Sequence, residues 1–233
     1  IKMTTKSFFP RNIYAQPTVN SSRVFLSPPR YIQGPGVIRN CGLYLQLINA
    51  NNVAVLASKR GFSAEASDVL TSLSKEGIAC SKAEFLGECS REEVERHANN
   101  LMSSKPDCIL AVGGGKLVDA GKCIAHRLNC QVVIIPTLAS NDAPCSSISV
   151  LYTADGVKDV VEYFPQNPAF VIVDTEVIVN ASERYLVAGM GDAMATWYEA
   201  RVCEDNPIAS NLVGCRPTLA ASALSEKCAL TLF

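Results

Sequence analysis

Short, unbroken apolar runs alternate with amphipathic stretches along much of the chain. An unbroken apolar run is typical of a strand buried on both faces, whereas apolar positions three and four residues apart are typical of a helix that buries one face. The apolar runs are residues 53–57, 108–112, 132–135 and 170–173, and the amphipathic stretches are residues 63–75, 91–103 and 116–127. This alternation predicts an α/β domain whose parallel sheet is covered by helices on both faces.

Local signals mark the ends of two of these helices. Gly77 follows the first amphipathic stretch and predicts its end, because glycine readily adopts the left-handed conformation found after helices. Ser90 and Glu93 form a capping-box pattern before the second stretch. In such a box the Ser hydroxyl accepts a hydrogen bond from the Glu amide, and the Glu carboxylate accepts one from the Ser amide.

Two further patterns predict a hairpin and a helical segment. Residues 147–153 and 157–163 flank an Asp-Gly pair, which is typical of a β-hairpin. From residue 182 onwards only helical patterns follow, over residues 182–204 and 217–232.

These patterns divide the chain into three parts. We expect a disordered lead-in or targeting segment at residues 1–22, an α/β domain at residues 23–180 and the beginning of an all-helical domain at residues 181–233. The chain starts at Ile1, and its last apolar helix carries no stop signal. We therefore expect the sequence to be incomplete at both ends.

Composition narrows the classes of function. The 233 residues are 48% hydrophobic with a formal net charge of -1, which excludes a disordered chain and gives no reason to expect a nucleic-acid or membrane partner. Ten cysteines without a C-x-x-C pair indicate mostly buried, reduced thiols and a reducing compartment, so we expect a cytoplasmic protein. The basic, Ser-rich stretch without acidic residues before Glu65 leaves a mitochondrial transit peptide as the alternative.

Residues 113–119 (GGGKLVD) lie where a predicted strand meets a predicted helix. Glycines let backbone amides approach an anion closely, and a helix N-terminus favours negative charge, so the segment suits a pyrophosphate. It matches neither standard phosphate loop, because Val118 replaces a glycine of the dinucleotide fingerprint and Leu117 replaces the Ser or Thr of a P-loop. A tight strand-to-helix turn without a ligand is the alternative.

Two aspartates stand out in the segments that follow. Asp142 lies in a polar loop, residues 136–146, directly after the next predicted parallel strand. It is therefore expected at the same carboxyl edge of the sheet, where open α/β sheets bind ligands. Asp192 lies in an otherwise apolar helical stretch, where a carboxylate is costly unless it is paired, caps the helix or binds a metal. The alternatives are that Asp142 caps a solvated loop and that Asp192 caps its helix.

In combination, four motifs resemble the metal-dependent, iron-containing type of alcohol dehydrogenase family, and within it the members that oxidise glycerol. The motifs are GGGKxxD from residue 113, PTxASxDAPCS from residue 136, VDT from residue 173 and GMGDAxATWxEA from residue 189. The resemblance extends over residues 23–233 and includes SPPRYIQG from residue 27, which looks like the family's N-terminal strand.

The resemblance implies a fold and a reaction. It implies an N-terminal, parallel-sheet dinucleotide-binding domain, followed by the beginning of an all-helical domain, with a catalytic Zn²⁺ in the cleft between them. It also implies a homo-oligomer that oxidises glycerol to dihydroxyacetone and transfers the hydride to NAD.

The resemblance also assigns roles to individual residues. It implies that the NAD pyrophosphate is wrapped by Gly113, Gly114, Gly115, Lys116 and Leu117. It implies that the rest of the cofactor site is lined by Thr137, Ser140, Ser146, Ile148 and Tyr152. Asp142 matches the family's substrate-contacting aspartate, and Asp192 matches the aspartate that binds zinc.

The chain departs from the family pattern at the metal site. The family takes two histidine ligands downstream of the matched aspartate, whereas the only histidines here, His97 and His126, lie upstream of it. We interpret His97 as an exposed ion-pair partner of Glu93 and His126 as a residue that stabilises a helix C-terminus. Since a catalytic zinc takes three protein ligands, the 233-residue chain alone is predicted to be inactive. The alternatives to a glycerol-oxidising enzyme are a truncated fragment that binds a nucleotide and a relative that acts on another small vicinal diol.

A second departure is Ser58. It stands where the family commonly has an aspartate that binds the adenosine ribose hydroxyls, and Lys59 and Arg60 follow it directly. Without that carboxylate a 2′-phosphate is not repelled, so NADP is the alternative cofactor to NAD.

Overall fold

The computed structural model describes residues 8–15, 22–153 and 155–232. The helices are α1 (Arg11–Tyr14), α2 (Cys41–Gln46), α3 (Lys59–Phe62), α4 (Glu65–Lys75), α5 (Arg91–Leu101), α6 (Gly115–Leu128), α7 (Thr175–Val179), α8 (Glu183–Asp205) and α9 (Leu219–Leu230). The strands are β1 (Tyr31–Gly34), β2 (Asn52–Ala57), β3 (Ala79–Glu84), β4 (Cys108–Gly113), β5 (Gln131–Pro136), β6 (Ile148–Tyr152), β7 (Lys158–Tyr163) and β8 (Phe170–Asp174). Short 3₁₀ helices lie at Val37–Asn40 and Ala143–Cys145.

Six strands form one parallel sheet in the order β1-β8-β5-β4-β2-β3. In register, β4 places Cys108 opposite Val53 on one side and Gln131 on the other. The predicted parallel sheet with its covering helices is confirmed. Because all six strands run in the same direction, the loops that follow them meet at a single edge of the sheet.

The central strands are buried on both faces, which explains their unbroken apolar runs. Successive side chains of a strand point to opposite faces, so each strand contributes to two cores. Leu56 and Ile109 pack in the core that includes apolar residues of α5 and α6. Val55 and Leu110 pack in the second core, with apolar residues of α2 and α4.

The elements outside the set that the sequence pattern predicts are α1, which lies within the predicted lead-in, and α2, α3, α7, β1 and β3. β3 is an edge strand of the sheet, and Ala83 is its one fully buried residue. α2 has six residues within a longer uncharged run, too few to display a helical period.

The two helix-end signals are present, one of them in altered form. Gly77 follows α4 with a φ of 67°, as the prediction requires. The Ser90 hydroxyl accepts a hydrogen bond from the Glu93 amide at 3.2 Å. The second half of the capping-box prediction is wrong, because a Glu93 carboxylate oxygen accepts instead from the Leu86 amide at 2.9 Å.

β6 and β7 form the predicted antiparallel hairpin, which packs against α6. Further along the chain, α8 and α9 pack against each other within the predicted helical segment. Across the described residues, no helix combines the length and apolar character needed to cross a membrane.

Gly121 marks a close contact between α6 and the sheet and supports a first prediction. An ideal Cβ at Gly121 would lie 2.5 Å from the Cβ of Ala111 on β4. G121A is therefore expected to push α6 outward and to lower the free energy of unfolding by about 1–3 kcal/mol, measured by urea unfolding. Gly191 in α8 is the matched control, because a Cβ there meets no described atom within 4 Å. G191A is expected to add up to about 1 kcal/mol through helix propensity, and equal effects of both substitutions would contradict the prediction.

Candidate functional site

The glycine loop (residues 113–117) joins the carboxyl end of β4 to the N-terminus of α6. Gly114 is the N-cap and supplies no capping side chain, so the first amides of α6 remain available to a ligand. An ideal Cβ at Gly114 would lie 2.9 Å from Leu138, and one at Gly115 would lie 2.8 Å from Asn141. The glycines therefore let this turn pack against the loop after β5 while the helix end stays open.

A cleft of about 960 Å³ opens at this edge of the sheet. The predicted cofactor residues that line it are Ser58, Gly113, Gly114, Gly115, Lys116, Leu117, Thr137 and Ser140. The Thr137 amide donates to the Gly113 carbonyl at 3.1 Å, which continues the β4–β5 pairing up to the cleft. The volume and the open helix N-terminus together suit an extended anionic ligand.

Ser58 lies at the end of the cleft beside α3. Its hydroxyl caps that helix by accepting from the Gly61 amide at 3.0 Å. Arg60 lines the same end and pairs with Glu65, with 2.8 Å between a guanidinium nitrogen and the carboxylate. Arg39 also lines the cleft and pairs with Glu176 at 2.7 Å. The cleft lining therefore includes two guanidinium groups, and that of Arg60 belongs to the helix that Ser58 caps.

The remaining predicted cofactor residues lie toward the hairpin. Tyr152 is close to the glycine loop, with its ring centre 5.9 Å from Lys116 Nζ. Ser146 and Ile148 are instead held to Lys122, whose ammonium donates to the Ser146 hydroxyl at 3.3 Å and to the Ile148 carbonyl. None of Ser146, Ile148 and Tyr152 is among the residues that line the 960 Å³ cleft.

Asp142 and Asp192 are brought together although 50 residues separate them. The backbone amide of Asp142 donates to Asp192 Oδ2 at 3.0 Å. Desolvation in the crowded loop, and next the neighbouring carboxylate of Asp192, raise the pKa of Asp142 above its ordinary value. Two acidic side chains therefore converge at the carboxyl edge of the sheet, as expected of a ligand site there.

Gly189 permits this convergence by allowing α8 to approach the loop after β5. An ideal Cβ at Gly189 would lie 2.0 Å from the carbonyl oxygen of Ala139. A side chain there would displace α8, and with it Asp192, which lies less than one turn further along the same helix.

Lys122 is a residue that the sequence interpretation missed. It is only 3% exposed, and its ammonium pairs with Asp119 Oδ1 at 2.8 Å and donates to the Ala143 carbonyl at 3.0 Å. The other Asp119 carboxylate oxygen accepts from the Val150 amide at 3.0 Å. The pair therefore joins α6 to the Asp142 loop and to the hairpin. Its signal in the sequence is an Asp and a Lys three residues apart on the apolar face of a helix.

The metal-ligand set near Asp192 is incomplete. Among the described residues, no group of three His, Cys, Asp or Glu side chains could hold a metal ion. His97 is 2% exposed, so its predicted exposure is wrong; it does contact Glu93, with 3.2 Å between Nε2 and the carboxylate. Burial lowers the pKa of His97. His126 lies in the last turn of α6 with its ring 5.3 Å from that of Phe164.

These features define a Rossmann-like α/β domain joined to a helical segment, with a pair of carboxylates where the two meet. The family model for iron-containing alcohol dehydrogenase matches residues 28–175. The chain belongs to this family.

Relatives extend the comparison. The chain is 42% identical over 210 residues to glycerol dehydrogenase from Escherichia coli O6:H1. It is 37% identical over 209 residues to glycolaldehyde reductase from Halobacterium salinarum. Each match covers 90% of this chain. The crystal structure of a probable glycerol dehydrogenase from Sinorhizobium meliloti 1021 matches 91% of this chain with a TM-score of 0.81 and 35% identity. The chain spans 57% of the length of each of these three proteins.

The buried Asp119–Lys122 pair supports a second prediction. K122M leaves the Asp119 carboxylate without its cation and is expected to lower the free energy of unfolding by roughly 3–5 kcal/mol in urea unfolding. K116M is the matched control, because the Lys116 side chain is 56% exposed and its ion pair with Glu88 is expected to contribute less than about 1 kcal/mol. The double variant D119N/K122M removes both charges and is expected to lose less than K122M alone. Equal destabilisation by K122M and K116M would show that the pair is not a structural link.

Proposed function

We propose that the protein oxidises glycerol, or a similar small diol, with NAD as the hydride acceptor. The observation that carries the proposal is the convergence of Asp142 and Asp192 beside the open N-terminus of α6. Similarity to a glycerol dehydrogenase and to a probable glycerol dehydrogenase supports glycerol as the substrate and therefore dihydroxyacetone as the product.

In this proposal the cleft holds the dinucleotide. The free amides at the start of α6 and the Lys116 ammonium bind the pyrophosphate, because both place positive charge at the same point. Thr137 and Ser140 offer hydroxyls along the cleft, and Ser58 lies at the ribose end. Bound NAD would accept a hydride from the carbinol carbon of the substrate.

Asp142 is proposed to contact the substrate. Its raised pKa makes its carboxylate a stronger hydrogen-bond acceptor for a substrate hydroxyl than an ordinary surface aspartate. The proposed metal is Zn²⁺, with Asp192 as one ligand. A catalytic zinc takes three protein ligands, and the described residues contain no group of three donors. They therefore do not by themselves complete a zinc site, and turnover by the described residues alone is not expected.

Two other functions are kept as alternatives, each on a specific observation. The incomplete ligand set favours a protein that binds nucleotide without turnover. The similarity to a glycolaldehyde reductase favours a different small hydroxylated substrate on the same scaffold. We also propose a homo-oligomer, because α8 and α9 expose large apolar side chains such as Val202 and Leu224. We propose a cytoplasmic location, because all ten cysteines are free thiols.

Ser58 leads to a third prediction, on cofactor choice. S58D is expected to weaken binding of NADPH relative to NADH by about tenfold or more, because the carboxylate would repel the 2′-phosphate. Asp is also a good N-cap, so α3 is expected to remain intact. Fluorescence titration of both reduced cofactors measures the effect, and S63D, which adds the same charge at the other end of α3, is the control. A wild-type chain that already rejects NADPH would exclude NADP as a cofactor.

A fourth prediction tests the proposed reaction. Glycerol-dependent reduction of NAD is measured with the product of the complete reading frame, before and after chelation and re-addition of Zn²⁺. D192N is expected to lower kcat/KM by more than the roughly 10- to 100-fold that the loss of an outer-shell partner costs, while NADH still binds. D142N is expected to raise the KM for glycerol.

The outcomes separate the alternatives. NADH binding without glycerol turnover at any Zn²⁺ concentration would favour the nucleotide-binding function. Faster reduction of glycolaldehyde than oxidation of glycerol would move the assignment to that substrate. Full activity of D192N would remove Asp192 from the proposed metal site.

A further inference from the structure

A carboxylate lies at the edge of the anion-binding cleft. Glu88 belongs to the loop between β3 and α5, and its Oε2 is 2.7 Å from Lys116 Nζ in the first turn of α6. Gly87 and Phe85 of the same loop line the 960 Å³ cleft together with Lys116. The one lysine that the glycine loop offers to a phosphate is therefore already paired with an acidic side chain.

The position of Glu88 is fixed by its surroundings. Its second carboxylate oxygen accepts from the Cys89 amide at 3.1 Å. The Cys89 carbonyl accepts from the Tyr152 amide at 2.8 Å, and the Leu86 amide donates to Glu93 at 2.9 Å. The side chain is 23% exposed, less than half the exposure of Lys116 at 56%. A ligand phosphate can therefore draw Lys116 away more easily than it can displace Glu88.

We infer that Glu88 sets the affinity of the cleft for a dinucleotide by opposing its pyrophosphate. The inference rests on the proposed function, namely that this cleft binds NAD. The carboxylate acts in two ways, and both weaken the binding of the pyrophosphate. It competes with the phosphates for the Lys116 ammonium. Its own negative charge also repels a phosphate that binds at Lys116.

This arrangement favours release of the nucleotide. When the pyrophosphate leaves, the Lys116 ammonium returns to Glu88, so the cation is never left without a partner. Competition for Lys116 raises the dissociation rate, and repulsion of the approaching anion lowers the association rate. Where product release limits turnover, Glu88 increases the rate at the expense of affinity.

The test is a titration of the chain with NADH, followed by fluorescence, and with inorganic pyrophosphate as competitor. E88Q keeps the size of the side chain and removes its charge. It is expected to lower the Kd for NADH by about three- to tenfold and to slow NADH dissociation, more strongly at low salt than at high salt. E88A is expected to act in the same direction. E95Q is the matched control, because Glu95 is paired with Arg127 at 3.0 Å outside the cleft; its Kd is expected to equal that of the wild type.

The outcomes distinguish this inference from the proposed function. If wild-type chain, E88Q and E88A all fail to bind NADH, the proposed nucleotide site is wrong and the inference falls with it. If the wild type binds NADH and E88Q binds it equally or more weakly, with circular dichroism showing a folded variant, the inference alone is overturned. Equal tightening by E95Q would show a non-specific effect of net charge and would also overturn it.

Discussion

A buried ammonium group needs oxygen atoms around it, and Lys122 obtains them from separate parts of the chain. Asp119 supplies a carboxylate from the same helix, while Ala143 supplies a carbonyl from the loop after β5 and Ile148 supplies one from the first residue of β6. Leaving such a charge unpaired is strongly destabilising, so the loop and β6 cannot move far from α6. This one cation therefore joins the middle of α6 to both the Asp142 loop and the hairpin.

The fold was predictable wherever its signals are local or where burial is complete. β2, β4, β5 and β8 are apolar because both faces are covered, and a parallel sheet follows from that pattern. β3 was missed because an edge strand with one buried residue, Ala83, has no apolar run. The reciprocal bond of the capping box was wrong because Glu93 finds a closer donor in Leu86, on a loop whose path no local pattern reveals.

The site was predictable where glycines or acidic residues interrupt apolar patterns, as at the glycine loop, Asp142 and Asp192. Their adjacency depends on packing between segments 50 residues apart, which the family resemblance implied and the residue pattern did not. Lys122 was missed because lysine is normally exposed. The burial of His97 could have been predicted, because His97 shares a helix face with Val94 and Leu101. The sequence interpretation inferred its contact with Glu93 but placed it on the exposed face.

The absence of a side chain at Gly189 links the carboxylate pair to the packing of a whole helix. Asp192 meets the Asp142 loop only while α8 lies directly against the Ala139 carbonyl. A ligand that bridges the two aspartates can therefore bind only to the packed arrangement. By thermodynamic linkage, its binding free energy is added to that of helix packing, and a well-packed helix in turn raises the affinity for the ligand. Occupancy of the site and attachment of the helical segment are one coupled equilibrium.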